Sequence, residues 1–143
     1  MLCGLCLVAA SSQLNAQPAG AGRIKAVVGT CSIVRGGQST AAVVGALVHE
    51  ADMVRTGSDG QLSIMLKDES RLSLGPNAEL TLRAFTYDPS QGRLALVVRM
   101  AQGALSYVSG RIAKLMPEAV RLETPTSVIG VRGTHALVRV EAP

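Results

Sequence analysis

The amino-acid sequence predicts an all-β domain, and two observations carry this prediction. Apolar and polar residues alternate with period two in segments such as 61–66, QLSIML, which is typical of half-buried strands. A short Leu-x-Leu unit also recurs, with turn-forming residues between successive copies. The copies begin at Gln61, Arg71, Glu79, Arg93 and Ala104. Short strands with regular turns at this spacing indicate a sandwich, a barrel or a β-solenoid, and we predict a β-solenoid-like coil, with a β-sandwich as the alternative.

The remaining elements follow from the same alternation. Strands are predicted at residues 23–28, 31–35 and 41–48 before the Leu-x-Leu units, and at 120–123 and 134–140 after them. Clusters of Gly, Pro, Asn, Asp and Ser predict turns at 58–60, 67–70, 75–77, 88–92 and 102–103. At most one short helix is expected, at residues 112–119, because Pro117 would end it.

Composition narrows the class of protein. The chain has 143 residues, of which 48% are hydrophobic, so it suits one globular domain and is too apolar for a disordered protein. Three cysteines and 15 glycines without a triplet period exclude a disulfide-rich or collagen-like scaffold. Only Phe85, Tyr87 and Tyr107 are aromatic. The predicted core therefore consists of Leu, Val, Ile and Ala.

The N-terminal segment is predicted to be a signal peptide. Leu2 to Ala10 form an apolar or small run, followed by polar and small residues, and the run is too short to span a membrane. We assign residues 1–16 to the signal peptide, 17–26 to a leader or linker, and 27–143 to the β domain. Cys3 and Cys6 then belong to the signal, and Cys31 is expected to be a small core residue.

No constellation of residues predicts catalysis or metal binding. His49, Glu50 and Asp52 lie close together, but a solvated turn explains them, and the two histidines have no recognised metal-ligand spacing. Aspartates are expected in turns for their local hydrogen bonds; these are Asp52, Asp59, Asp68 and Asp88. The sequence therefore predicts a protein that is not an enzyme and has no cofactor and no metal.

A longer pattern resembles the FecR domain family. Its most specific part is the segment 124–138, TPTSVIGVRGTHALV, in which a Thr-Pro and an Arg-Gly-Thr bracket an apolar strand. Upstream, the order is similar through 52–60, DMVRTGSDG, and 62–80, LSIMLKDESRLSLGPNAEL. Together these segments extend the resemblance over roughly residues 27–140.

The resemblance implies an extracytoplasmic all-β module, periplasmic or secreted, from a Gram-negative bacterium. It implies binding or signalling through a β face or a β edge, with a protein as the partner. Because the sequence shows neither an anti-sigma region nor a transmembrane helix, direct regulation of a sigma factor is not expected. The alternative function is a structural envelope scaffold that binds cell-wall polymer or associates with itself.

The residues of the family pattern are interpreted as structural. The signature residues are Thr124, Pro125, Gly130, Arg132, Gly133 and Thr134, and the turn residues are Thr56, Gly57, Asp59, Gly60, Gly75 and Pro76. Pro125 marks a strand start or edge, the glycines permit a bulge or a positive φ, and Arg132 is expected to pair with a turn carboxylate. A contact between Arg132 and an anion or a partner is the alternative.

The net charge of +4 bears on the partner. Eleven arginines are scattered singly along the predicted strands, which favours a solvated face. If the Leu-x-Leu strands stack as the rungs of a coil, several of these arginines would align into a basic stripe that attracts anionic envelope polymers or lipid headgroups. Nucleic acid is not an expected partner, because few aromatic side chains could stack on bases.

Overall fold

The computed structural model describes residues 20–142, in which twelve strands and one short helix form. The strands are β1 (Gly22–Val28), β2 (Cys31–Arg35), β3 (Gln38–Ala41), β4 (Leu47–Val48), β5 (Met53–Thr56), β6 (Gln61–Leu66), β7 (Arg71–Leu74), β8 (Glu79–Asp88), β9 (Arg93–Val108), β10 (Val120–Glu123), β11 (Val128–Gly130) and β12 (His135–Val140). Helix α1 spans Arg111–Leu115, and 3-10 turns occupy Pro89–Gln91 and Pro117–Ala119. An all-β domain with at most one short helix is therefore confirmed.

The N-terminal predictions fall largely outside this region. The signal peptide assigned to residues 1–16 lies outside the described residues. Strand β1 begins at Gly22, inside the segment assigned to the leader, and pairs with β6 along its length.

The strands form one curled, open sheet that is organised around the long strand β9. Along its first part, β9 has β8 on one side and β10 on the other; along its last part it has β7 and β12. The strand order is thus β3-β2-β5-β8-β9-β10-β11 in one half of the sheet and β4-β1-β6-β7-β9-β12 in the other. We call these the β8 half and the β7 half.

Strand direction bears on the predicted coil. Every pair is antiparallel except β9 with β10, whose connection runs through α1. A coil with stacked rungs would place successive Leu-x-Leu units in parallel. Here β6 and β7 instead form a hairpin, with Leu62 opposite Leu74 and Ile64 opposite Leu72. Neither the coil nor the sandwich is confirmed.

The Leu-x-Leu units do supply the core. In each unit the apolar pair points into the concave side of the sheet, while the intervening residue points outward. These apolar side chains are almost fully buried except Leu94, which is partly buried. The buried side chains from these units are Leu62, Ile64, Leu72, Leu74, Leu80, Leu82, Leu96, Leu105 and Tyr107.

Two predicted boundaries are wrong. Residues 41–48 do not form one strand, because the chain turns at Val43–Gly45, where Ala46 N–H donates to Val43 O and Gly45 has φ +90°. The turn predicted at 102–103 lies inside β9. Gly103 has φ +94°, and a Cβ there would lie 2.5 Å from Ala78 Cα, so this glycine marks a bend in a continuous strand.

Within residues 20–142, no helix has the length and apolar character needed to cross a membrane.

Candidate binding site at the signature segment

The signature segment forms the β10–β11 hairpin and the loop that leads to β12. Thr124 closes the hairpin turn: its N–H donates to Ser127 O at 2.8 Å, and its Oγ1 accepts from Ser127 N–H at 3.0 Å. Pro125 lies in this turn, two residues after the end of β10. Pro125 thus lies between two strands, where a proline removes no ladder hydrogen bond.

The Arg-Gly-Thr loop is fastened to the end of β9. Ser109 Oγ donates to Gly133 O at 2.6 Å, and Ser109 N–H donates to Thr134 O at 2.8 Å. Gly133 has φ +118°, a conformation that favours glycine, as predicted. Gly130 lies in β11 and is not among the positive-φ positions of the described chain.

Arg132 projects from this loop without an ion-pair partner among residues 20–142. The side chain is exposed and has no hydrogen bond or ion pair with any other residue of 20–142, so the expected pair with a turn carboxylate does not form there. It lines an open cleft of about 680 Å³ between α1, β10 and the loop. Arg121 and Glu118 line the same cleft, and Val120, Val128 and Val131 supply apolar surface.

A second cleft of about 680 Å³ lies on the opposite side of the hairpin. Its walls are the hairpin turn 124–127 and β12, and Ala101 of β9 lies between them. This gap follows from the pairing of β9: β10 leaves β9 at Arg99, and β12 joins it at Gly103. The signature segment therefore lines both clefts.

The strands next to these clefts present open edges. Among the described residues, β11 pairs only with β10, and β12 pairs only with β9. Apolar side chains lie beside both edges: Val128 is 66% exposed and Leu137 is 77% exposed. We call the segment Val128–Val140, with its two clefts, the signature edge. It combines unpaired backbone, apolar side chains and the Arg132 guanidinium, which suits an extended peptide segment.

The turn residues of the family pattern converge at a different place. Thr56 Oγ1 is buried, donates to Gly75 O at 2.6 Å and accepts from Ala78 N–H at 2.9 Å, so it joins the β5–β6 turn to the β7–β8 turn. Asp59 Oδ1 accepts from Thr30 N–H at 3.3 Å. Gly60 is required sterically, because a Cβ there would lie 2.6 Å from Thr30 O.

The other turn residues have simpler surroundings. Gly57 N–H donates to Thr30 O at 2.8 Å, and Gly57 O accepts from Asn77 N–H at 3.0 Å. Gly75 N–H donates to Ala104 O at 3.1 Å, and Pro76 is exposed in the turn. These contacts hold turns together and present no side chain to a ligand.

Asp52 and His49 do not form the solvated turn that the sequence suggested. Asp52 is only 1% exposed and accepts a bidentate pair from Arg35, at 2.8 Å from Nε and 2.6 Å from Nη2. His49 N–H also donates to Asp52 Oδ2 at 2.8 Å. Burial raises the pKa of Asp52, but the Arg35 hydrogen bonds, the His49 amide and the nearby charges outweigh it, so the pKa lies below its ordinary value.

Asp68 is a second buried carboxylate that sequence reasoning placed only as a turn residue. It accepts from Ser70 Oγ at 2.7 Å and Ser70 N–H at 3.1 Å, which are the expected local bonds. It also accepts from Ile112 N–H at 3.2 Å in the first turn of α1. The Tyr107 hydroxyl is buried next to Ser70 and Ser109 without reaching hydrogen-bond geometry, and burial raises its pKa.

No group of three or more His, Cys, Asp or Glu residues within 20–142 is arranged to hold a metal ion. Both buried carboxylates are already occupied by donors of the chain itself.

Fold and site together define a small all-β module that offers a strand edge and open clefts rather than an enclosed pocket. Residues 52–143 match the model of the family described as FecR protein. The chain therefore belongs to the FecR family, as its signature and turn patterns predicted. Comparisons with curated proteins and with solved structures find no match.

Membership defines the class of protein at a coarse level. FecR domains are signalling or regulatory modules and are generally extracytoplasmic. The family match begins at Asp52, so β1 to β4 precede the matched region, although β1 and β2 pair directly with strands inside it.

Proposed function

We propose that this chain is a non-catalytic, extracytoplasmic binding module that holds an extended segment of a protein partner at the signature edge. The observation that carries this proposal is the open edge of β11 and β12 with a cleft on each side. A partner strand that pairs with such an edge gains main-chain hydrogen bonds, and the flanking clefts can select its side chains.

The side chains of the edge indicate the character of that segment. Arg121 and Arg132 line one cleft together with the single acidic residue Glu118, so a carboxylate of the partner would find two guanidinium groups. Val128 beside them offers apolar contact. A segment that alternates acidic and aliphatic residues therefore fits best.

The absence of catalysis in this proposal has a structural support. Asp52 is neutralised by Arg35, and Asp68 accepts three hydrogen bonds from Ser70 and Ile112. A carboxylate held in this way is not available as a general base. Asp52 and Asp68 both stabilise the fold through these hydrogen bonds.

The experiment compares baits that differ only at the signature edge. Wild-type protein, Arg132→Ala, Val128→Lys and Arg93→Ala are immobilised and exposed to an envelope extract. Arg93 is exposed at the start of β9 and serves as the matched arginine control. We expect one stoichiometric protein to be retained by wild type and Arg93→Ala and lost by the two edge variants, with thermal unfolding unchanged in all four.

Three results would contradict the proposal. Equal retention by all four baits would exclude the signature edge. Unfolding of Arg132→Ala would show that Arg132 is structural, as first interpreted. Retention of cell-wall polymer or of the chain itself, without a partner protein, would favour the envelope scaffold.

A further inference from the structure

The outer face of the β7 half carries a pattern that the signature edge does not explain. Strand register places the outward-facing side chains of six strands in straight rows. One row is Leu47, Arg23, Met65, Arg71, Val108 and His135. The next is Ala26, Ser63, Ser73, Ser106 and Leu137. We call this surface, formed by β4, β1, β6, β7, the end of β9 and β12, the cationic face.

Acidic residues are excluded from the strands of this face. None of the six strands contains Asp or Glu, whereas exposed Arg23, Lys25, Arg71 and Arg139 belong to them. None of these four cations forms an ion pair with another residue of 20–142. The acidic residues that flank these strands lie beyond the strand ends; they are Glu50, Asp59, Asp68, Glu69 and Glu141. Among them, Asp68 is buried, and Glu69 pairs with Arg111 at 3.6 Å.

The outer face of the β8 half gives the contrast within the same molecule. There Arg55 pairs with Glu79 at 3.1 Å, and Arg83 pairs with Glu123 at 2.9 Å. Both halves carry arginines, but only the β7 half leaves all of its strand cations without an acidic partner. The charge asymmetry is therefore a property of one face rather than of composition alone.

Aliphatic side chains stand between these cations. Val28, Leu47, Val108 and Leu137 are large hydrophobic residues of the face and are 37–77% exposed. Neighbouring strands lie about 4.8 Å apart, so Arg23 and Arg71, two strands apart, are separated by about 10 Å with Met65 between them. The face is thus an array of cations with aliphatic side chains between them.

We propose that the cationic face binds the surface of an anionic lipid bilayer. Basic side chains are attracted to anionic headgroups, and exposed aliphatic side chains gain free energy by entering the boundary between headgroups and acyl chains. A soluble polyanion would use the charges and leave Leu137 and Leu47 in water. A single-stranded nucleic acid needs aromatic side chains for stacking, and the three rings of the chain lie elsewhere, in β8 or in the core.

This inference does not depend on the proposed protein partner. The two surfaces share β12, whose Leu137 belongs to both, but Arg132 and Val128 do not belong to the cationic face. A module held on a membrane by its β7 half would keep the β10–β11 hairpin, which belongs to the other half, available for a protein, whereas β12 would lie at the membrane.

The test measures partitioning of the purified full chain onto vesicles. Vesicles of phosphatidylcholine alone are compared with vesicles of phosphatidylcholine mixed with phosphatidylglycerol, at low and at high salt. We take the ratio of the partition coefficient on the anionic vesicles to that on pure phosphatidylcholine vesicles. Any binding by residues 1–19 that does not depend on headgroup charge contributes equally to both coefficients and cancels in this ratio. Wild type is expected to prefer the anionic vesicles, with a preference that high salt abolishes.

Two pairs of matched variants locate the binding surface. Arg23→Gln/Arg71→Gln removes two cations from the cationic face, and Arg99→Gln/Arg121→Gln removes two from the outer face of the β8 half. We expect the ratio to fall by about tenfold or more for the first and to change less than about threefold for the second. Leu137→Ser should weaken binding to the anionic vesicles by about fivefold or more, whereas Leu115→Ser, on α1, should not.

Several results overturn the proposal. Equal losses in the two arginine pairs would show that net charge acts without a defined face. Equal binding by wild type and Leu137→Ser would show that no apolar side chain enters the bilayer. Binding to heparin in solution without preference for anionic vesicles would assign the face to a soluble polyanion. Circular dichroism of each variant establishes that the fold is retained.

Discussion

At the scale of single residues, Asp52 shows how a charge becomes part of this fold. Its carboxylate is buried, and Arg35 covers it from strand β2 while the Arg35 side chain itself stays 53% exposed. The guanidinium can therefore be hydrated on one side and donate two hydrogen bonds on the other. Such a pair has a lower desolvation cost than one in which both charges are buried.

Asp52→Asn is expected to lower the free energy of unfolding by about 1–3 kcal/mol at neutral pH, because a charge-assisted bidentate bond is replaced by a weaker one. The matched control is Glu79→Gln, whose partner Arg55 is also half-exposed but whose carboxylate is not fully buried. That control should cost less than about 1 kcal/mol. Urea denaturation of the three proteins measures both differences, and equal losses would contradict the role assigned to burial.

The same residue predicts a dependence on pH. The folded-state pKa of Asp52 lies below its value of 3.8 in an unfolded chain, so the charged form is favoured by folding. Its contribution is complete above that unfolded value and is lost as the pH falls through the folded pKa. The stability difference between wild type and Asp52→Asn should therefore shrink in acid. A difference that stays constant from neutral pH to strong acid would refute this account.

At the scale of elements, the turns are joined to one another by buried side chains. Thr56 Oγ1 contacts a carbonyl and an amide of the β7–β8 turn, and Asp68 joins the β6–β7 turn to the start of α1. These bonds connect elements that are distant along the chain. Thr56 and Asp68 therefore do more than close a local turn, because their side chains join one turn to another element of the fold.

Thr56→Val is expected to destabilise the protein by about 2–4 kcal/mol, since it keeps the shape but leaves Gly75 O and Ala78 N–H without this partner. Thr86→Val, at an exposed position of β8, is the control and should stay within about 0.5 kcal/mol of wild type. Thermal and urea unfolding provide the measurement. A loss below about 1 kcal/mol for Thr56→Val would mean that water replaces the hydroxyl.

The sequence predicted strand positions and core residues well, for a physical reason. In a strand, period-two alternation determines which side chains share a face, so Leu62, Ile64, Leu72 and Leu74 could be placed in the core from local pattern alone. The Leu-x-Leu pattern is the same for parallel and antiparallel neighbours, however. The Leu-x-Leu pattern therefore could not predict that β6 and β7 pair as a hairpin.

The candidate site was predicted less completely than the core. The Thr-Pro and Arg-Gly-Thr residues marked its position, and the φ of Gly133 followed from residue type. The clefts arise because β10 and β12 occupy different parts of one edge of β9, and this depends on long-range pairing. The burial of Asp52 likewise depends on Arg35, which is 17 residues away.

At the scale of the whole molecule, β9 makes the two halves one unit. Its first part belongs to the β8 half and its last part to the β7 half, and Gly103 lies where the neighbours change. The sheet can bend there because this residue has no Cβ to meet the backbone of Ala78. Cooperative unfolding of residues 20–142 is the expected consequence.

Gly103→Ala is expected to cost about 2–4 kcal/mol, from the unfavourable φ and the contact with Ala78. Gly92→Ala is the control: Gly92 also has a positive φ, of 66°, but has open space around its Cα, so it should cost about 1–2 kcal/mol. Denaturant unfolding followed by circular dichroism and hydrogen exchange should show one transition in both variants. Separate transitions of the two halves would contradict a shared strand.

The position of β9 also determines the order in which the molecule can be completed. Strands β7 and β8 are made before it, and each has β9 as the neighbour that covers one of its edges. A nascent chain in which β9 has not yet been made therefore exposes one unpaired edge on β7 and one on β8, and unpaired strand edges promote aggregation. Once β9 is made, it pairs with both edges and covers them. A chaperone is therefore most needed before β9 emerges.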